Sequence, residues 1–261
     1  MKAALFIKPN PKALEVEGEL MKELFAHGFE IDNENPDVVF FAGGDGTFLR
    51  AINKYIKRVN DIKFAGINYG TLGFFYDYEK EDIHELVESI ANGTDYSIGH
   101  RLLKGRAICD DQESVFYALN EIRVENPFST LISEVYINDE LLENFHGTGL
   151  LISSSVGSSA YNKSSGGALM HSDLELLQLT EIDAIQNNAY RSLGSSLIVS
   201  ETSKITLKGD FRKSIVGYDC IIKDDATVIN QLTVSLSHKR VHLVYKNGHS
   251  YINMLRKSFI D

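Results

Sequence analysis

A single carboxylate, Asp45, stands among three glycines in the run Phe40 to Leu49, FFAGGDGTFL. Ahead of it VVFFA has the β-branched and aromatic make-up of a strand buried on both faces. Behind it TFLRAINKYI spaces apolar residues at Phe48, Ala51, Ile52 and Tyr55 as a helix does. Strand, glycine turn and helix in that order place Gly43, Gly44 and Gly46 where the backbone turns tightly and approaches a ligand. The following helix start offers free N–H groups to phosphate. A carboxylate beside phosphate is costly unless it binds a metal or takes a proton, and a kinase acting on a hydroxyl needs such a residue. The plainer reading is a glycine turn with an aspartate capping the next helix.

Three further segments shift the balance. Asn68 to Phe75, NYGTLGFF, follows the next expected strand, so two glycine turns lie side by side at one sheet edge and make a pocket. Asn120 and Glu121 interrupt the strand-like FYALNEIRV. They read either as an exposed strand end or as an amide and a carboxylate recognising hydroxyl or amino groups. From Gly147 to Gly167, GTGLLISSSVGSSAYNKSSGG, an apolar strand opens into serines and glycines that bury little apolar surface. Its hydroxyls and N–H groups suit a polar ligand, and Tyr161 suits stacking on a flat ring.

The elements that must position these residues alternate through the first hundred residues. Ala3 to Ile7 reads as a strand, followed by a helix capped at Asn10-Pro11 that stops at Gly28, with Leu14, Gly18, Leu20, Met21, Leu24 and Phe25 on its apolar face. Val38 to Ala42 is the next strand, Thr47 to about Lys57 a helix, Phe64 to Ile67 a strand, and Glu81 to Ala91 a helix facing inward through Ile83, Leu86, Val87 and Ile90. Such alternation predicts an α/β N-terminal domain on a parallel sheet, with ligands bound beyond the strand ends where GGDGT sits. After Ser97 short β-like runs follow one another, with Asn138-Asp139 as a hairpin turn. The expected division is an α/β domain over 1–97, a β-rich domain over 98–248 and a segment over 249–261 that could return to the first domain. Gln231 to Tyr245 reads as two half-buried strands, and Lys223 to Asp225 as a solvated turn.

The chain of 261 residues carries a formal net charge of −10, which argues against a nucleic-acid partner. No apolar run approaches the roughly 18 residues that span a bilayer. The N-terminus lacks the pattern of a secretion signal, so the expectation is a cytoplasmic protein with Cys109 and Cys220 as free thiols. His171, His238, His242 and His249 lack metal-site spacing and read as surface or structural residues.

Taken together, GGDGTFLRA, GINYGTLGFF, ALNE, GLLISSSVGSSAYNKSSGGALMHSDLELLQLTEI and a closing KSFI resemble the NAD kinase family in order and spacing over nearly the whole chain, in particular its short single-chain members from Gram-positive bacteria. The resemblance implies transfer of the terminal phosphoryl of ATP to the adenosine 2′-hydroxyl of NAD, with Mg²⁺ or another divalent metal whose protein ligands the sequence does not assign. It also implies a GGDGT site shared with diacylglycerol kinases and 6-phosphofructokinases, a β-rich domain that binds NAD, and a homodimer or homotetramer. By the same resemblance Asp45 is the general base, and Gly43, Gly44 and Gly46 form the phosphate turn. Asn120 and Glu121 hold ribose and nicotinamide-side groups. His146, Ser159, Ala160, Tyr161, Asn162, Lys163 and Ser164 fall where the family contacts the dinucleotide, with Ala160, Tyr161 and Phe74 near the adenine. Arg50 either approaches phosphate or stays solvated.

Several positions depart from the family pattern. Thr148 replaces the usual aspartate, so a charged acceptor becomes a neutral hydroxyl. SSVGSSAY replaces TPTGSTAY, His171-Ser172 replaces the usual His-Pro, and Tyr218 substitutes in the contact segment Gly217 to Lys223. Two other functions compete. A lipid or sugar kinase would use the same GGDGT turn, but a lipid kinase needs an apolar acceptor groove that the serine segment opposes. A nucleotide-binding regulator without catalysis is the other, motivated by Thr148 and the altered serine loop.

Overall fold

The computed structural model describes residues 1–9, 11–68, 73–109, 112–223 and 229–261. The chain divides into two compact units, Met1–His100 with Lys239–Asp261, and Arg101–His238. The return to the first unit therefore begins at Lys239, inside a strand, where the sequence shows no change of texture.

The first unit is built on parallel strands. β1 (Lys2–Ile7) pairs with β2 (Glu30–Ile31) on one side and β3 (Val38–Ala42) on the other. β4 (Lys63–Asn68) follows β3, and the end of the long strand Ile229–Tyr245 lies parallel to β4 through His242, Leu243 and Val244. β5 (Tyr78–Glu79) pairs with the last two residues of β4. Every residue of β3 is buried, as the apolar run VVFFA requires. α1 (Pro11–Ala26) buries Ala13, Val16, Leu20 and Leu24 and ends in a glycine turn at Gly28, whose φ is +74°. The expected face is corrected here. Leu14 and Phe25 are 71% and 60% exposed, because the buried stripe runs through the small Ala13 and Val16, which let the helix approach its neighbours. The cap expected at Asn10, and the side chain of Pro11, lie outside the described residues.

α2 (Asp45–Lys54) begins at the carboxylate itself, two residues earlier than the apolar spacing suggests, and buries Thr47, Phe48, Leu49, Ala51 and Ile52. Phe48 anchors it to the sheet, stacking on Phe41 with ring centroids 4.5 Å apart and meeting Phe64 edge-on. α3 (Ile83–Ala91) buries the four residues expected of it, Ile83, Leu86, Val87 and Ile90, and a C-terminal helix, Tyr251–Phe259, closes the chain.

The second unit is antiparallel. β6 (Tyr96–Cys109) pairs with β7 (Gln112–Ala118); β8 (Glu121–Glu125) follows after a break at Leu119-Asn120. β9 (Leu131–Ile137) and β10 (Glu140–Gly147) form the expected hairpin, its turn made by Asn138 and Asp139 at φ of 51° and 70°. β11 (Gly149–Ser154) leads through a short helical turn, α4 (Tyr161–Ser164), to β12 (Leu177–Ile182) and β13 (Leu197–Val199). β14 (Lys204–Lys208), β15 (Ile215–Tyr218) and β16 (Ile221–Ile222) complete the set before the long strand. One sheet runs β13-β12-β11-β8-β15-β16; β10, β9, β14 and the first half of the long strand form another row. Phe116, Ile122, Val124, Val135, Phe145, Leu150, Ile152, Leu207 and Phe211 fill its core. The stretch read as two strands, Gln231 to Tyr245, belongs to one continuous strand of 17 residues, because no turn former interrupts its alternation. Asp224 and Asp225 of the expected solvated turn lie outside the described residues. Neither Cys109 nor Cys220 is in a disulfide. Among the described residues no helix is long and apolar enough to cross a membrane.

Candidate functional site

In the first unit the glycine turn is shaped by sterics. Gly43 has a φ of +154°, and a Cβ there would stand 2.2 Å from Thr47 Oγ1. The turn passes directly into α2, with Gly44 as its N-cap and the Thr47 N–H donating to Gly44 O at 2.7 Å. Asp45 occupies the first helical position and its side chain is half-buried. The N–H of Phe74 donates to both of its oxygens, at 3.0 and 3.2 Å, and a Cβ on Gly73 would come within 2.8 Å of Oδ1. Asp45, the glycine turn and the end of the second glycine loop thus meet in one place. Tyr69 to Leu72 of that loop lie outside the described residues.

Burial pushes the Asp45 carboxyl above the usual aspartate range, against the pull of the Phe74 and Phe75 N–H groups. Arg50 lies exposed and donates to Gly46 O at 3.3 Å. The ring of Phe74 lies 5.8 Å from that of Phe259 on the C-terminal helix. A cavity of about 640 Å³ in this unit is lined by Asn68, Gly73, Tyr76, Lys246, Gly248 and Lys257 among others, so it adjoins the residue that seats Asp45.

In the second unit the Leu119 to Glu121 break is gripped from two sides. Asp219 accepts from the N–H groups of Leu119 and Asn120 at 2.9 and 2.7 Å, and its own N–H donates to Glu121 O. Ser154 donates through its hydroxyl to Leu119 O at 2.6 Å and through its N–H to Asn120 O. Gly157 packs so tightly that a Cβ would sit 2.0 Å from Asn120 O. The pair this holds is buried, Asn120 at 7% and Glu121 at 4% exposure, which excludes the exposed strand end. Asn120 Oδ1 and Glu121 Oε2 are nonetheless without a hydrogen-bond partner among the described residues. Buried polar atoms left unpaired are costly and mark places where a ligand or water completes the set.

The charges around that pair are arranged in series. Burial, reinforced by the charge of Asp219 and opposed by Arg123, pushes the Glu121 carboxyl up to about 8. Burial likewise raises Asp219 to about 6, against the N–H groups that hold it. Arg123 reaches Glu125 Oε2 at 2.8 Å, Glu121 Oε1 at 3.4 Å and the carbonyl of Asp219 at 3.1 Å. Tyr161 donates its hydroxyl to Glu125 Oε1 at 2.7 Å, and its ring lies 5.5 Å from the Arg123 guanidinium.

The serine segment divides into two populations. Ser153, Ser154, Ser155, Ser158 and Asn162 are at most 3% exposed and bond inward, so this part of the stretch expected to face a ligand is buried instead. Ser158 donates to Ser155 O at 2.7 Å, and its Oγ accepts from Met170 N at 2.9 Å. Asn162 receives the Thr180 hydroxyl at 2.7 Å and donates to Ser158 O and Ala168 O. Tyr161, Lys163 and Ser164 face solvent, and Ser159 and Ala160 are half-buried. His146 lies on β10 and stacks on Tyr190 with ring centroids 4.1 Å apart. Thr148 is half-buried; its N–H donates to Ile182 O and its carbonyl accepts from Asn126.

Sequence reading missed Asp219, Arg123 and Glu125. Asp219 carries no local signal in the sequence, its φ of +48° being visible only in the structure, whereas the alternating Glu-x-Arg-x-Glu of β8 marked the others. Tyr218, named in its place, packs on Phe116 at 4.8 Å.

Comparison with known proteins bears on both units. Residues 6–96 match the ATP-NAD kinase N-terminal domain and residues 119–246 the ATP-NAD kinase C-terminal domain. An NAD kinase of Leuconostoc citreum is 33% identical over all of this chain and 98% of its own length. One from Streptococcus pneumoniae is 34% identical over 98% of this chain and 95% of its own. Among solved structures, a yeast NADH kinase complexed with NADH superposes with a TM-score of 0.88 at 18% identity, over all of this chain and 88% of that one. An Archaeoglobus fulgidus NAD kinase in complex with ATP does so with a TM-score of 0.80 at 23% identity, over 98% of each chain. These two likenesses carry the fold.

Proposed function

We propose a residue-level mechanism on one premise: this chain belongs to the NAD kinase family and is an ATP-dependent NAD kinase. It transfers the terminal phosphoryl of ATP to the adenosine 2′-hydroxyl of NAD. The observation that carries the mechanism is the seating of Asp45 on the Phe74 N–H at the first position of α2. Gly43, Gly44 and Gly46 cradle the phosphates of the metal–ATP substrate, Mg²⁺ or another divalent ion, where the helix start favours negative charge. Asp45 accepts the 2′-hydroxyl proton as the oxygen attacks phosphorus. The new bond joins the 2′-oxygen to phosphorus; the bond to the bridging oxygen breaks and ADP leaves. A carboxyl raised by burial is a better base near neutral pH than an ordinary aspartate.

In the second unit Asn120 and Glu121 take the ribose and nicotinamide-side groups, supported by their unpaired Oδ1 and Oε2. Glu121 presents a protonated carboxyl at pH 7, able to donate as well as accept. Tyr161 with Ala160 meets the adenine, supported by its exposed ring over Arg123, and Ser159, Lys163 and Ser164 line the same short turn. Phe74 packs near the adenine and His146 and Thr148 contact the dinucleotide, while Asn162 acts by holding the turn together. The active form is a homodimer or homotetramer in the cytoplasm. Incubation with ATP, Mg²⁺ and a panel of NAD, diacylglycerol and fructose 6-phosphate tests the assignment. NADP is the expected product; lipid or sugar phosphorylation without NADP would contradict it.

A further inference from the structure

Among the described residues outside those assigned above, one cluster carries metal-ligand chemistry. Glu23 and His27 stand four residues apart on α1 and so share a face. His84 lies in the first turn of α3, which packs against α1. Glu23 Oε2 is 2.8 Å from His84 Nδ1 and 3.9 Å from His27 Nδ1, and one ligand atom from each residue falls within 4.8 Å of the other two. The imidazole centroids are 5.6 Å apart. Ligands held on bonds of about 2.1 Å around a tetrahedral ion stand roughly 3.4 Å apart, within the spread seen here. His27 Nδ1–H donates to the carbonyl of Glu23 at 2.9 Å; ligation through Nε2 would keep this bond as support for the ring, and ligation through Nδ1 would replace it.

We propose that Glu23, His27 and His84 bind a divalent transition-metal ion of the zinc class, clasping the end of α1 to the start of α3. Two imidazoles and one carboxylate are the donor set that zinc and its neighbours prefer, with a fourth position left to water. Magnesium, which seeks oxygen ligands, is not the ion that fits. The site is therefore separate in chemistry and residues from the metal that accompanies ATP. Glu23 and His27 are largely covered, their side chains 19% and 21% exposed, whereas His84 is 66% exposed and leaves an open approach from solvent. Leu24, Ile83 and Leu86 beside the cluster belong to the core of this unit, so a bound ion stabilises the packing of the two helices.

Titration of the metal-free full chain with zinc chloride, followed by calorimetry, thermal unfolding and the imidazole NMR resonances, tests the proposal. One equivalent is expected to bind, raise Tm and shift the signals of His27 and His84 together, and magnesium chloride does none of these. His84→Gln and His27→Gln each weaken zinc binding by about tenfold or more, while His238→Gln at an exposed position leaves it unchanged. The absence of saturable binding overturns the proposal. So does binding that survives both His27→Gln and His84→Gln, or that is lost only when Cys109 and Cys220 are changed to serine.

Discussion

The backbone N–H of Phe74 donates to both carboxylate oxygens of Asp45, at 3.0 and 3.2 Å, so the residue presented by one glycine turn is aimed by the next. The contact depends on Gly73, whose missing side chain leaves the carboxylate room. It orients Asp45, while burial holds the carboxyl above the usual aspartate range against the pull of the Phe74 and Phe75 N–H groups.

The two adjacent glycines of the turn are predicted to differ. Gly43→Ala places a Cβ 2.2 Å from Thr47 Oγ1 at a φ of +154° and should cost about 2 kcal/mol or more, with a raised KM for ATP. Gly44→Ala meets nothing within 4 Å at a φ of −90° and should stay within about 1 kcal/mol of wild type. Denaturant unfolding and ATP kinetics on the pair check this.

Gly157→Ala should be the more damaging change in the second unit, because its Cβ would collide with the carbonyl and Cα of Asn120 at 2.0 and 2.4 Å. Backbone atoms cannot swing aside as a side chain can. The Asn120–Glu121 segment has to move, and a loss of stability on the order of 3 kcal/mol, with NAD binding impaired, is expected from unfolding curves and NAD titration.

Much of this was legible in the residues, and the failures have physical causes. Strand, turn and helix around Asp45 could be read because β-branched runs, glycines and 3.6-residue spacing all agree there. The face of α1 could not, since Leu14 and Phe25 are large and apolar yet exposed, while small Ala13 marks the contact. The Asn120–Glu121 pair stood out as polar within a strand, but the group that holds it, Asp219, is 98 residues from Glu121 and carries no local signal. The serine segment looked like ligand surface, whereas half of it is a hydrogen-bonded knot whose partners Met170 and Thr180 lie further along the chain.

Glu121 makes stability depend on pH in a stated direction. Its folded pKa, about 8, lies above the ordinary 4.5, so between those values the unfolded chain has lost a proton that the folded chain keeps. Its contribution is fully present below about pH 4.5 and is lost as pH rises through 8. Asp219 adds the same sign between 3.8 and about 6. Glu121→Gln should flatten the fall in unfolding free energy from pH 5 to 8, measured by denaturant unfolding, the gap from wild type reaching a few kcal/mol at most at the upper end, on the order of 1.4 kcal/mol per pKa unit.

Tyr161 separates its two contacts by substitution. Tyr161→Phe removes the 2.7 Å bond to Glu125 at a partly exposed position and should cost about 1 kcal/mol or less. Tyr161→Ala also removes the ring beside Arg123, and KM for NAD should rise roughly tenfold with a smaller change in kcat. Steady-state kinetics on the two variants resolve the terms.

The base assigned to phosphoryl transfer is tested most directly by Asp45→Asn, with NAD and ATP binding measured separately from NADP formation. Asparagine keeps one of the two oxygens that accept from Phe74 but cannot take a proton. Binding of both substrates should remain within about threefold of wild type while kcat falls by roughly 10² or more. Turnover near the wild-type rate in that variant, with binding unchanged, would contradict the role given to Asp45.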